Sequence, residues 1–292
     1  CSLIIVVITI FILIKGIAPF FKTYLVDGEE YKINALLFLT GNKWFEFPNR
    51  YGVGYIIFDT IYITVIALLI AAPISILTSL FIAKIAPKWI SKILISTVEL
   101  LASIPSIIYG MFGAFIITNI IKGISNIIGF QSAGGLSGLS ASIVLAIMIL
   151  PTITTISVTA ISAVKKDQIQ GSLALGCSKT QTNFKVVLRS AKSGIFSGVI
   201  LGIGRALGEA TAVSMVIGNS GSGPDFNIFD TARTLTSTMM LSMHESSGMD
   251  YDIRFSVGVV LILIILITNI LLNIVKRKIG ESNVKGKKHR KS

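Results

Sequence analysis

An arginine and a glutamate stand four residues apart inside a long apolar run, GIFSGVILGIGRALGEATAVSMVIGN, at 194–219. At 1.5 Å per residue, a helix over this run places Arg205 about 17 Å from its start, close to a bilayer midplane. Charges at that depth are costly, so they face a protein interior or a water-filled path. A spacing of four puts Arg205 and Glu209 on one helix face, within pairing reach. A guanidinium offers an oxyanion a planar fork of donors and keeps its charge when buried. A nearby glutamate competes for it and keeps the anion's hold weak enough for release, as conduction requires. Two readings follow: a polar site on a translocation route, which we favour, and a salt bridge that only locks helices together. Gly194, Gly198 and Gly202, also four apart, let a neighbouring helix approach closely.

The elements that hold this pair must span a membrane. Hydrophobic residues make up 52% of the 292 and charged residues 14%, and the mean hydropathy of +0.81 is foreign to an ordinary soluble domain of this size. The net charge of +12 does not mark a nucleic-acid binder, because its lysines sit between and after apolar runs. The chain starts at Cys1 inside an apolar run, from which we expect a short preceding piece rather than a cleaved signal. With Cys177 the only other cysteine, no disulfide framework is expected, and the isolated His244 and His289 predict no metal cluster.

Six apolar stretches are long enough to cross: 2–21, 55–83, 93–121, 139–163, 194–218 and 255–275. The expected fold is therefore an all-α membrane protein of six transmembrane helices forming one permease domain over 1–292. Loops 84–92 and 164–193 and the tail 276–292 carry 17 Lys and Arg against 2 acids. Loops 22–54, 122–138 and 219–254 carry 7 against 9. That excess predicts the first set, and both termini, on the cytoplasmic side. Asp59, near an outer end, is expected to reach water; Lys15 to snorkel outward; and Glu99 to lie near the inner face.

Trp44, Phe45, Phe47, Tyr51 and Tyr55 read as an interfacial aromatic belt, and the glycine-rich loop 122–138 as flexible. Pro105 in SIPSIIYG bends its helix and exposes backbone groups. Ser103 and Ser106 either satisfy those groups or offer hydroxyls to a passing anion. Pro151, with Thr152, Thr154 and Thr155, leaves the same choice open. In the loop 164–193, Leu173, Leu175, Phe184, Val187 and Leu188 form a ridge for a docking partner; the alternative is a basic loop lying on anionic lipid. No G-x-x-x-x-G-K-[ST] loop occurs, so the chain has no such route to ATP hydrolysis and is not expected to be an enzyme. No nucleophile–base pair or catalytic residue stands out.

The loop resembles the coupling motif of ABC importer permeases, written EAA, three residues, G, nine residues, then I, any residue, LP. Gly176 falls on the motif glycine, Gln170, Gly171 and Ser172 on EAA, and Val186 to Arg189 on the end, with Gln170 lacking the acid and Arg189 replacing the proline. The stretches ELLASIPSIIYGMFGAF, LAIMILPTI, ILGIGRALGEATAVSMVIGN and TLTS (234–237) resemble phosphate importer permeases, members of the binding-protein-dependent transport system inner-membrane component family. FLTGNKWFEFPNRYGVG and RALGEATAV are similar to the PstC-type subunit. The resemblance implies a heterodimer with a PstA-type permease, a cytoplasmic ATPase dimer holding ATP and Mg, and an extracytoplasmic phosphate-binding protein. It also implies that Arg205 and Glu209 take part in phosphate passage, and that Gln170, Gly171, Ser172, Leu175 and Gly176 couple to the ATPase.

Residue chemistry does not separate phosphate from molybdate, sulfate or phosphonate; that choice rests on the resemblance. An ion-coupled secondary carrier is a further alternative, against which stand the docking loop and the want of a convincing internal repeat. A sensory or scaffold subunit is a third.

Overall fold

The computed structural model describes residues 2–26, 29–45, 50–130 and 132–288; Cys1, Phe47 and His289 lie outside the described residues. Helix α1 (Ser2–Ile17) leaves Leu3, Ile4, Val7 and Phe11 exposed, as a lipid-facing span requires. Strands β1 (Thr23–Val26) and β2 (Glu29–Lys32) pair antiparallel with Thr23 opposite Lys32. Helix α2 (Ala35–Thr40) starts where the Asn34 side chain accepts from the Leu36 and Leu37 amides. A second hairpin, β3 (Trp44–Phe45) with β4 (Arg50–Tyr51), sets Trp44 opposite Tyr51.

Helix α3 (Gly54–Leu80) runs into a π-helical turn at Phe81–Ile85, and Pro87 then separates it from α4 (Lys88–Ser103). Pro105 cannot donate and holds Ile104 extended, at φ −65° and ψ 128°, so α4 stops. The chain restarts as α5 (Ser106–Phe112), a π turn at Gly113–Ile117 and α6 (Thr118–Ile128). Helix α7 (Gly138–Ser162) contains Pro151. Helices α8 (Lys166–Ala174) and α9 (Lys179–Gln181) precede a π turn at Thr182–Val187. Helices α10 (Leu188–Leu207), α11 (Thr211–Ser214), α12 (Leu235–Met240) and α13 (Gly248–Lys288) complete the order.

Among the described residues six helical stretches are long and apolar enough to cross a membrane: Leu3–Phe20, Gly54–Ile85, Ser106–Ile128, Gly138–Ser162, Lys179–Leu207 and Gly248–Lys278. Three differ from expectation. The third lies at 106–128 rather than 93–121, because Pro105 splits the apolar run. The fifth runs from Lys179 to Leu207 rather than over 194–218, which puts Arg205 near the end of its span and not the middle, and the sixth runs from Gly248 to Lys278 rather than over 255–275. Residues 122–128, expected in a flexible loop, belong to α6.

The chain forms two compact units. One comprises the residues up to Ile66, Ser106–Leu145 and Leu207–Leu266; the other Ala67–Pro105, Ala146–Ala206 and the chain from Ile267 onward. In the first, Phe38, Trp44, Val53, Tyr55, Ile56, Leu235, Ile253 and Val257 form the core. Trp44, Tyr51 and Tyr55 are therefore core residues and not an interfacial belt, because the β3–β4 hairpin folds back onto α13; of the four belt residues that are described, Phe45 alone stays exposed. The Trp44 and Tyr51 rings meet edge-on at 5.2 Å. In the second unit, Leu80, Ile161, Val164, Val187, Ala191 and Ile195 form the core. Burial of Val187, and part-burial of Leu188 against the same cluster, removes two of the five residues expected on the docking ridge.

Candidate functional site

Helix α10 carries Arg205 in its last turn, where unsatisfied carbonyls favour a cation. Gly194, Gly198 and Gly202 face Ala160, Ile156 and Ile153 of α7; a Cβ on Gly202 would lie 2.8 Å from Ile153 Cγ1. This close crossing brings Arg205 to Thr152, the residue after Pro151, and Arg205 Nη1 donates to Thr152 Oγ1 at 3.2 Å. The guanidinium is half-buried, and among the described residues its partner is a neutral hydroxyl. Among the described residues, four of its five donors are left for another acceptor.

Glu209 does not continue that helix. Residues 208–210 are non-helical, so the single helix face expected to carry both charges is broken between them. The Glu209 carboxylate turns forward and accepts from the Ala212 amide at 3.0 Å, which starts α11. Its backbone carbonyl accepts from Thr236 Oγ1 at 2.8 Å. Helix α11 packs on α5, where a Cβ added to Gly110 would lie 2.9 Å from Ala212 Cα. Ser103 Oγ donates to the Leu100 carbonyl at 2.7 Å, satisfying the frayed end of its own helix. Ser106 is half-buried at the start of α5.

Three buried charges escaped the sequence reading. Asp59, expected to reach water, is 2% exposed; its Oδ2 accepts from the Arg233 amide at 3.1 Å. Its position one helical turn into α3, under the 233–236 segment, explains the burial. Arg233 lies 5.8 Å from the Trp44 ring centre. Arg254 is 1% exposed and donates to the Thr238 and Leu241 carbonyls and to Asp250. Both arginines fall within the stretch 219–254 that the sequence marks as a loop; the i, i+4 spacing of Asp250 and Arg254 is the available signal for the second.

The 165–189 segment is helix–turn–helix. Gln170 and Gly171 are exposed on α8, while Ser172 is buried with its Oγ 3.0 Å from Thr182 Oγ1. Gly176 adopts φ +83°, a left-handed conformation that reverses the chain after α8. Ser178 and Gln181 then form a capping box. Leu175 is 86% exposed, and Leu173 and Phe184 line a cavity of about 480 Å³ with Ile169, Lys84 and Lys179. Among the described residues no group of three His, Cys, Asp or Glu is placed to hold a metal ion.

Residues 75–281 match the family of binding-protein-dependent transport system inner membrane components. The chain belongs to that family. The permease is 40% identical, over 88% of its length and 80% of the relative's, to the probable ABC transporter permease protein YqgH of Bacillus subtilis. It is 32% identical, over 91% of its length and 86% of the relative's, to the phosphate transport system permease protein PstC of Pasteurella multocida. Its fold is similar to a chain of the MetNI methionine ABC transporter in an inward-facing form, with a TM-score of 0.63 at 16% identity. That alignment covers 78% of the permease and 95% of the other chain. As a family member with six membrane-crossing helices, the permease is a multi-pass membrane component of a transport system and not its ATPase.

Proposed function

We propose that this chain is the transmembrane permease subunit of an ATP-driven inorganic phosphate importer, forming the anion pathway with a second, PstA-type permease. The observation that carries the reading is Arg205: a guanidinium at the end of an apolar helix, hydrogen-bonded to the Thr152 hydroxyl and forming no ion pair among the described residues. Donors left over in that setting suit an oxyanion. The PstC names of relatives such as the Pasteurella protein support phosphate over other tetrahedral anions.

Arg205 meets the anion, and Glu209 keeps its hold weak enough for release. Ser106, beside Pro105, offers its hydroxyl on the same route, while the Ser103 proton is committed to the Leu100 carbonyl. Gln170, Gly171, Ser172, Leu175 and Gly176 form the element that docks into a cytoplasmic ATPase dimer, which holds ATP and Mg. An extracytoplasmic phosphate-binding protein delivers the substrate. The excess of Lys and Arg in loops 84–92 and 164–193 and in the tail supports cytoplasmic termini. A cysteine introduced at 250 is expected to react with an impermeant reagent from outside; labelling from the cytoplasm alone overturns that orientation.

The deciding experiment is radiolabelled phosphate uptake in cells lacking other phosphate importers, with membrane abundance measured for each variant. Arg205→Gln is expected to abolish uptake, alone and together with Glu209→Gln. A structural salt bridge predicts the reverse, since removing both charges leaves none unpaired. Near-normal uptake by the double variant overturns the pathway role.

A further inference from the structure

The TLTS segment at 234–237 has a structural use for three of its four residues. Thr234 Oγ1 accepts from the Ser237 amide and Ser237 Oγ from the Thr234 amide, a capping box that starts α12. Leu235 is in the core. Thr236 is left over. Its hydroxyl lies 3.1 Å from Thr234 Oγ1 and donates at 2.8 Å to the Glu209 carbonyl, and the residue is 5% exposed.

The segment that carries Thr236 is gripped from both ends. On α3, Asp59 Oδ2 accepts from the Arg233 amide and Thr60 Oγ1 from the Leu235 amide, each at 3.1 Å. Thr60 is itself fixed by donating to the Ile56 carbonyl. At the far end of α12, Arg254 Nη1 donates to the Thr238 carbonyl at 2.7 Å. These groups, with Glu209, belong to one compact unit. Glu209 sits outside any helix, so no helical ladder fixes its peptide; the Thr236 bond does so instead. Turning that peptide redirects the carboxylate away from the Ala212 amide.

We propose that Thr236, held in register by Asp59 and Thr60, is a positioning residue for Glu209. The functional part of this inference rests on the assignment of Glu209 to the anion route. A hydroxyl-to-valine change leaves the part-buried Glu209 carbonyl without this partner, a loss worth about tenfold in an equilibrium.

The test uses Thr236→Val, Thr236→Ser and, as a control, Thr238→Val, whose hydroxyl donates to the carbonyl of Thr234, the cap of its own helix. Amide exchange over 210–214 is read by mass spectrometry on the full chain in lipid nanodiscs, and phosphate uptake is read in cells. Thr236→Val is expected to speed exchange at Ala212 about tenfold. It should also move the half-saturating phosphate concentration in the direction that Glu209→Gln moves it. Thr236→Ser restores both, and Thr238→Val changes neither more than twofold. Wild-type exchange at Ala212 in Thr236→Val overturns the inference. So does equal impairment by Val and Ser, which marks a packing role. Faster exchange with normal uptake in both Thr236→Val and Glu209→Gln keeps the positioning contact and strikes down the pathway role of Glu209. Where Thr236→Val fails to accumulate, Thr236→Ala serves in its place.

Discussion

Two apolar runs in this permease stop being helical partway along, for opposite reasons. At 104–105 the cause is covalent: Pro105 has no amide and forces Ile104 extended, and the frayed end is tidied locally by Ser103. At 208–210 no proline is present, and the break is maintained by side chains from elsewhere. Glu209 caps the Ala212 amide, and Thr236 holds the Glu209 carbonyl. The first break is local chemistry; the second is tertiary structure. Charge follows the second kind, since Arg205 ends the helix before that break and Glu209 lies within it. A helix interrupted within an apolar run frees terminal dipoles and backbone groups that an uninterrupted helix would consume, and such sites serve ions in other membrane folds.

The largest expected effect comes from the contact that joins the restarted helices. Gly110 of α5 meets Ala212 of α11 with no room for a Cβ, which would also lie 2.6 Å from Met215 Sδ. Gly110→Leu should cost about 3 kcal/mol or more and prevent accumulation in the membrane, measured by immunoblot of membrane fractions. Normal abundance would mean that α5 and α11 do not depend on this crossing.

Next come the substitutions that separate the two causes. Pro105→Ala should restore a donor and let α4 run into α5, so amide exchange at 104–106 slows at least tenfold while uptake falls. Gly208→Ala should leave the second break in place, because Glu209 and Thr236 still hold their partners. Exchange at 208–210 would then stay fast. Slow exchange in Gly208→Ala would show that glycine, and not tertiary bonding, ends α10.

This contrast also explains what was legible beforehand. Six spans follow from composition, and the structure has six; local rules read Pro105 as a bend inside the third, whereas it ends α4 and moves that span to 106–128. The second break leaves no local trace in ALGEATAV; periodicity reads straight through it. The buried aromatics failed for the same reason: Trp44 and Tyr51 look like membrane-edge residues until the β3–β4 hairpin packs them against α13. Asp59 reads as a solvated helix end until the 233–236 segment covers it, although 174 residues separate Asp59 from the amide it holds. Pairings that distant carry no sequence signature in a single chain.

A smaller effect is expected at Gly176, a turn whose cause is again local. At φ +83° a Cβ is strained whatever the space around it, although one added to Gly176 would meet no atom within 4 Å. Gly176→Ala should cost about 1 kcal/mol, and Gly176→Asn less, because asparagine tolerates the left-handed region. If α8 docks the ATPase, substrate-stimulated hydrolysis should fall in the order Gly, Asn, Ala, Trp, with membrane insertion unchanged. Normal stimulation and co-purification of the ATPase in Gly176→Trp would remove this turn from coupling.

The smallest expected effect sets a baseline remote from both breaks. Tyr24 of β1 donates to Asp252 Oδ2 of α13 at 2.9 Å, while Lys22 Nζ lies 3.4 Å from the same oxygen. Burial, followed by the bond to Asp252 and that carboxylate's charge, holds the Tyr24 phenol well above its ordinary value near 10. In the unfolded chain the phenol ionises at the ordinary value, so the folded state binds the proton more tightly. The resulting stability is complete below pH 10 and is lost as the pH rises past it. Tyr24→Phe should lower stability by about 1 kcal/mol at neutral pH, because Lys22 still serves Asp252. It should also flatten the alkaline decline, read by thermal unfolding in detergent between pH 8 and about pH 11. Uptake should stay at the wild-type level, since this tether touches neither Glu209 nor α12. An uptake defect in Tyr24→Phe as large as that of Thr236→Val would mean that any loosening of this unit disturbs transport, and the special standing of the second break would go with it.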